Sequence, residues 1–157
     1  MRQSVLYMFF FISATLLFSC KKYPEGGCER RGPKNIIGTW TLALYEVNGI
    51  DSTELINYNG DDIYKKITFL KNVSTISVDY KGYDGASAKF IKGNSEILFN
   101  SSFNMTYYNS NTRKYRNILV PEASSKTDCA WEIIKLNKKE FVIKAQKQNA
   151  YTIKFNK

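Results

Sequence analysis

Two runs near the end of the chain constrain its fold more than any other feature. Phe141, Ile143 and Ala145, then Tyr151, Ile153 and Phe155, fall on one side of their segments, with Lys144 and Lys154 on the other. A period of two is the signature of a half-buried strand and is incompatible with an amphipathic helix. The connection Lys147-Gln148-Asn149 is short enough for an antiparallel hairpin. The same alternation recurs upstream. Trp40, Leu42 and Leu44 alternate with Thr41, Ala43 and Tyr45, and Asn48-Gly49 follows, a pair that tolerates the positive φ of a two-residue hairpin turn. Ile67 and Phe69 form a second run, and Ile76, Val78 and Tyr80 a third. Shorter runs lie at 86–91, 96–100, 104–108 and 115–120, and a longer one at 129–136. Residues 53–58 have room for one helical turn, and no window sustains a 3.6-residue period longer than three turns.

Eight to ten short strands with hairpin-length connections predict an all-β fold, an antiparallel meander closed as a small β-barrel of 8 to 10 strands or folded as a sandwich. Eleven Tyr and ten Phe suit strands and a packed interior better than a disordered chain. The inward wall is predicted to comprise Trp40, Leu42, Leu44, Ile67, Phe69, Ile76, Val78, Tyr80, Phe90, Phe99, Tyr107, Phe141, Ile143, Tyr151, Ile153 and Phe155. Such a wall either fills a small barrel or surrounds one apolar ligand.

Ahead of this domain, Arg2 precedes an apolar run from Val5 to Phe18 that ends at Ser19-Cys20-Lys21-Lys22. The run has the length of a secretory h-region and falls short of the roughly 20 residues a spanning helix needs. Leu17-Phe18-Ser19-Cys20 resembles the lipobox of bacterial lipoproteins. The resemblance implies cleavage after residue 19, acylation of the Cys20 thiol and a lipid-anchored envelope protein. Gly38-Thr39-Trp40 resembles the Gly-x-Trp signature of lipocalins, in which the Trp plugs the closed end of the barrel and a late basic residue, here Lys154 or Lys157, crosses it. Together these features resemble the lipocalin-like lipoproteins of Bacteroidota. That resemblance implies an outer-membrane location, with Lys21 and Lys22 in place of acidic residues favouring the periplasmic face.

The organisation expected is therefore a signal peptide at 1–19, an acylated Cys20 and flexible tether at 20–35, and a lipocalin-like barrel at 36–157. Pro24, Gly26, Gly27, Gly32 and Pro33 interrupt regular structure in the tether. If Cys20 is acylated, Cys28 and Cys129 have one intramolecular pairing left in an exported compartment that permits disulfides. Asp51-Ser52-Thr53 resembles the short site at which Bacteroidota glycosylate exported proteins on a hydroxyl, and it also suits a plain polar loop.

The chain contains no histidine, which removes Ser-His-Asp and Cys-His catalysis and imidazole metal sites. Asp61-Asp62 and Asp84-Gly85 lack the spacing of a Ca²⁺ loop. The expectation is a non-enzyme without cofactor or metal and without a nucleic-acid partner. Its net charge of +9 suits an anionic partner, lipid phosphates being the nearest, or solvated lysines on outward strand faces. Two functions follow. One is capture of a small apolar or amphiphilic ligand at the end opposite Trp40; the other is docking of an envelope protein or glycan through the outer surface.

Overall fold

A computed structural model describes residues 20–56, 66–71, 76–79, 86–99, 106–109, 114–119 and 129–157. The strands are β1 (Gly38–Val47), β2 (Ile50–Asp51), β3 (Lys66–Lys71), β4 (Ile76–Asp79), β5 (Ala86–Ile91), β6 (Glu96–Phe99), β7 (Thr106–Asn109), β8 (Lys114–Asn117), β9 (Cys129–Leu136), β10 (Glu140–Gln146) and β11 (Ala150–Asn156). The fold is mostly antiparallel β-sheet. Among the described residues, nine strands join in the order β11-β10-β9-β6-β5-β4-β3-β1-β2, and β7 and β8 form a separate hairpin. β1 is paired on both sides. Gly38–Thr41 lie against Phe69–Lys66 of β3, and Thr41–Val47 lie against Asn156–Tyr151 of β11.

The β1–β2 turn forms as expected, with Asn48 at φ 54° and Gly49 at φ 78° joining Val47 to its partner Ile50. The helical turn after it is a 3-10 turn at Thr53–Ile56. The connections at 57–62, 81–85, 109–112 and 121–128 fall wholly or largely outside the described residues, as do Tyr80, Asp61-Asp62 and Asp84-Gly85.

The inward set is largely where alternation places it. Trp40, Ile67, Phe69, Phe99, Phe141, Ile143, Ile153 and Phe155 are wholly buried, Leu42 and Tyr151 nearly so, and Phe90 is half-buried against them. For Ile76, Val78 and Tyr107 only the backbone is described. Leu44 is a correction. Leu42 pairs with Phe155 but Leu44 pairs with Lys154, so Ala43 is an extra residue on β1. A bulge of one residue reverses the facing of everything beyond it. Tyr45 therefore turns inward and is 2% exposed, while Leu44 is only half-buried. Tyr45 thus belongs to the core rather than to the outward side of β1 on which alternation places it.

A second bulge, at Ile134 on β9, sits between the pairs Val142–Lys135 and Ile143–Ile133. A bulged residue leaves backbone groups outside the ladder, and buried ones require another partner. Here the Ile134 carbonyl accepts a hydrogen bond from Glu25 N at 2.9 Å, and Leu136 N donates to Gly26 O at 3.3 Å. The stretch expected to be a flexible tether is thus docked on the sheet. Lys22 bridges Cys28, and Tyr23 N donates to Gly27 O across a tight turn in which Gly26 (φ 115°) and Gly27 (φ 96°) take conformations closed to other residues. A side chain at Gly27 would also collide with the Leu136 carbonyl. A 3-10 turn at Glu29–Arg31 and one turn of helix, α1 (Gly32–Asn35), then lead into β1.

The interior is organised by Phe141. Its ring centroid lies 5.9 Å from Trp40, 6.0 Å from Phe69 and 5.7 Å from Phe155, and Phe69 reaches Phe99 at 6.4 Å. Phe141→Ala removes the ring that all three share. It is expected to lower the unfolding free energy by about 3–5 kcal/mol, measured by denaturant titration.

Candidate functional site

The densest set of specific contacts lies at the Trp40 end of the sheet. Trp40 Nε1 donates to Ile36 O at 2.6 Å, satisfying the one polar atom of a fully buried ring. Lys157 completes the arrangement. Its Nζ stands 4.8 Å from the Trp40 ring centroid and donates to Ile37 O at 2.5 Å and Asn35 O at 3.5 Å. Of the two candidate basic residues, Lys157 crosses Trp40. Lys154 instead turns to Glu140, at 2.9 Å. Gly38 is required by its φ of 116°, and a Cβ there would meet only the flexible end of Lys157, Cε at 2.9 Å and Nζ at 3.0 Å.

The N-terminal segment seals the same end. Tyr23, 2% exposed, donates through its hydroxyl to Asn94 O at 2.9 Å, and Asn94 Nδ2 donates to Glu29 O at 3.2 Å. Burial, with Glu29's charge second, pushes the Tyr23 phenol above its ordinary range. Glu29 is itself buried and pairs with Lys21 at 3.4 Å. Sequence reasoning missed Tyr23, Glu29 and Asn94. The one available signal was an aromatic residue inside a Gly- and Pro-rich stretch.

At the other end, where a lipocalin would admit ligand, aromatic rings occupy the interior. Trp131 packs edge-on to Tyr151 at 6.4 Å, and Tyr151 stacks on Tyr45 at 6.3 Å. Trp131 Nε1 donates to Leu119 O at 2.8 Å, which ties the chain leaving β8 into the core beside buried Ile118. An open groove of about 570 Å³ runs on the outer side of β6, β9, β10 and β11, lined by Glu96, Glu132, Lys144 and Thr152 among others. Its lining mixes these charged and polar groups with Ala130, Ala145, Ala150 and Tyr151.

The cysteines correct the expected pairing. Cys20 and Cys28 are joined, with Cα atoms 5.9 Å apart, whereas Cys129 is a buried thiol at the head of β9. The Cys28 to Cys129 bridge is therefore not formed. Cys28 is held by the turn that pairs it with Lys22, which keeps it beside Cys20.

Asp51, Ser52 and Thr53 form a turn. Asp51 Oδ1 accepts from Thr53 Oγ1 at 2.5 Å and Thr53 N at 2.9 Å, while Thr53 Oγ1 accepts from Tyr45 N at 2.8 Å. The Thr53 hydroxyl bond, then the backbone bond, hold the Asp51 carboxyl below its ordinary value. Among the described residues no group of three or more Cys, Asp or Glu is placed to hold a metal ion, and no helix is long and apolar enough to cross a membrane. Comparison with protein-family models finds no match to this chain, and none of the curated proteins matches it either.

Glu140 supplies a titration readout on the outer face. Hydrogen bonds from Lys135 at 2.5 Å and Lys154 at 2.9 Å bring its carboxyl down from 4.5 to about 2. A carboxyl with a lowered folded-state pKa stabilises the fold above its unfolded value, and that contribution disappears as pH falls through the folded value. The stability difference between wild type and Glu140→Gln is thus expected to be constant above about pH 5 and to shrink between there and pH 2, followed by urea unfolding across pH.

Proposed function

We propose that the chain is an envelope lipoprotein, anchored through Cys20, whose domain is a lipocalin-like barrel acting as an interaction module. The barrel reading is supported by β1, whose pairing with both β3 and β11 links the first long strand to the last. Support for lipocalin likeness comes from Gly38, Trp40 and Lys157, whose contacts follow the Gly-x-Trp pattern with a late cation over the ring. The observation that carries the interaction reading over ligand capture is the ring packing among the described residues. Trp131, Tyr151 and Tyr45 stand where an apolar ligand would enter, and Trp40, Phe69, Phe99, Phe141 and Phe155 fill the opposite end. Outward contact is offered by Ile50, 69% exposed at the β1–β2 turn, and by Leu55 in the 3-10 turn that follows.

Acylation and the bond to Cys28 compete for one sulfur. A thioether to diacylglycerol at Cys20 leaves Cys28 as a thiol beside it.

Two experiments test this reading. Metabolic labelling with an acyl probe is expected to mark the wild type and leave Cys20→Ala unmarked and detached from membranes, with Cys28 of the labelled protein reacting as a thiol. An unlabelled, unattached wild type rejects the anchor. Titration of residues 20–157 with fatty acids and hydrophobic dyes, followed by Trp fluorescence and melting temperature, is expected to show no saturable response. A saturable response restores ligand capture.

A further inference from the structure

The Trp40 end carries cations that its internal contacts leave unused. Lys22, Arg30, Arg31 and Lys34 are exposed on the docked N-terminal segment, and Lys138 and Lys139 are exposed on the β9–β10 turn. Backbone and side-chain hydrogen bonds bring these two groups together. Gly26 is bonded to Leu136 at the end of β9, Lys157 N donates to Lys139 O at 3.0 Å, and Lys157 Nζ donates to Asn35 O beside Lys34. None of the six has an ion-pair partner among the described residues. Acids nearby do little to offset them. Glu29 is buried against Lys21, Glu140 is held by Lys135 and Lys154, and Glu25 alone is exposed.

We propose that this end is a docking face for an anionic lipid surface. It deepens the anchor reading, because an acyl group on Cys20, next to Lys21 and Lys22, would bring lipid to this end. Charge complementarity supplies the rest. Each Lys or Arg held near an anionic leaflet strengthens binding by about fivefold, so six placed together give appreciable attachment without an acyl chain. The seal formed by Tyr23, Gly27 and Leu136 keeps the cations on one rigid face rather than on a wandering coil.

The test uses unacylated residues 20–157, within which every described contact is made, so that its outcome is independent of acylation. Sedimentation with vesicles of phosphatidylglycerol and phosphatidylcholine is compared with phosphatidylcholine alone. Binding is expected only to the anionic vesicles, and release is expected in about 1 M salt, where screening acts within about 3 Å. Arg30→Glu with Lys139→Glu is expected to weaken binding by about twentyfold or more. Lys144→Glu with Lys147→Glu makes the same net change elsewhere, on the outer face of β10 and the β10–β11 turn, and is expected to bind nearly as wild type. Circular dichroism checks that both variants fold. Equal binding to both vesicle types, no binding, or equal losses in the two double variants overturns the proposal. Acyl labelling of Cys20 in the full chain separately decides the anchor.

Discussion

The pairing of β1 with β11 is the constraint on which the rest of the structure depends. It joins Thr41–Val47 to Tyr151–Asn156 across more than a hundred residues of chain, and the Phe141 ring cluster and the Lys157 contact with Trp40 both require β11 in place. Contacts so distant in sequence close late and slow folding, because loop entropy is lost before they form. The bulge at Ala43 makes the pairing compatible with the core. Without it Leu44 would face inward and Tyr45 would leave Tyr151.

Much of the fold was legible from alternation. β5 and β9 fall where the apolar and turn residues put them, β10 and β11 extend one residue beyond, and Asn48-Gly49 forms the turn its composition demands. Leu44 and Tyr45 were misread because a bulge is a counting error within a strand. Nothing in Leu42-Ala43-Leu44 distinguishes two residues opposite one from two opposite two. Alternation carries facing only as far as the register is uninterrupted.

The N-terminal segment was misread for a different reason. Gly26-Gly27 and two prolines describe a coil equally well as a tight turn, and the choice rests on partners remote in sequence. Those partners are the bulged Ile134 carbonyl, the Leu136 backbone and the Asn94 carbonyl. The cysteine pairing followed the same logic, since elimination among thiols ignores which are neighbours. A turn that sets Cys28 against Lys22 brings it to Cys20 and leaves Cys129 within the sheet. The candidate site was half legible: Gly-Thr-Trp marked Trp40, whereas Lys157 was one of two options until β11 was placed.

Docking of residues 21–37 also changes what a load applied at Cys20 does to the domain. A free coil of that length acts as an entropic spring, letting a body swing and rotate through roughly 20 Å. Here the first residue beyond Cys20 is already tied to Glu29, and the third is buried in the fold. The lever arm is one or two residues long. A pull at Cys20 would therefore pass into the sheet within a few residues rather than through a coil.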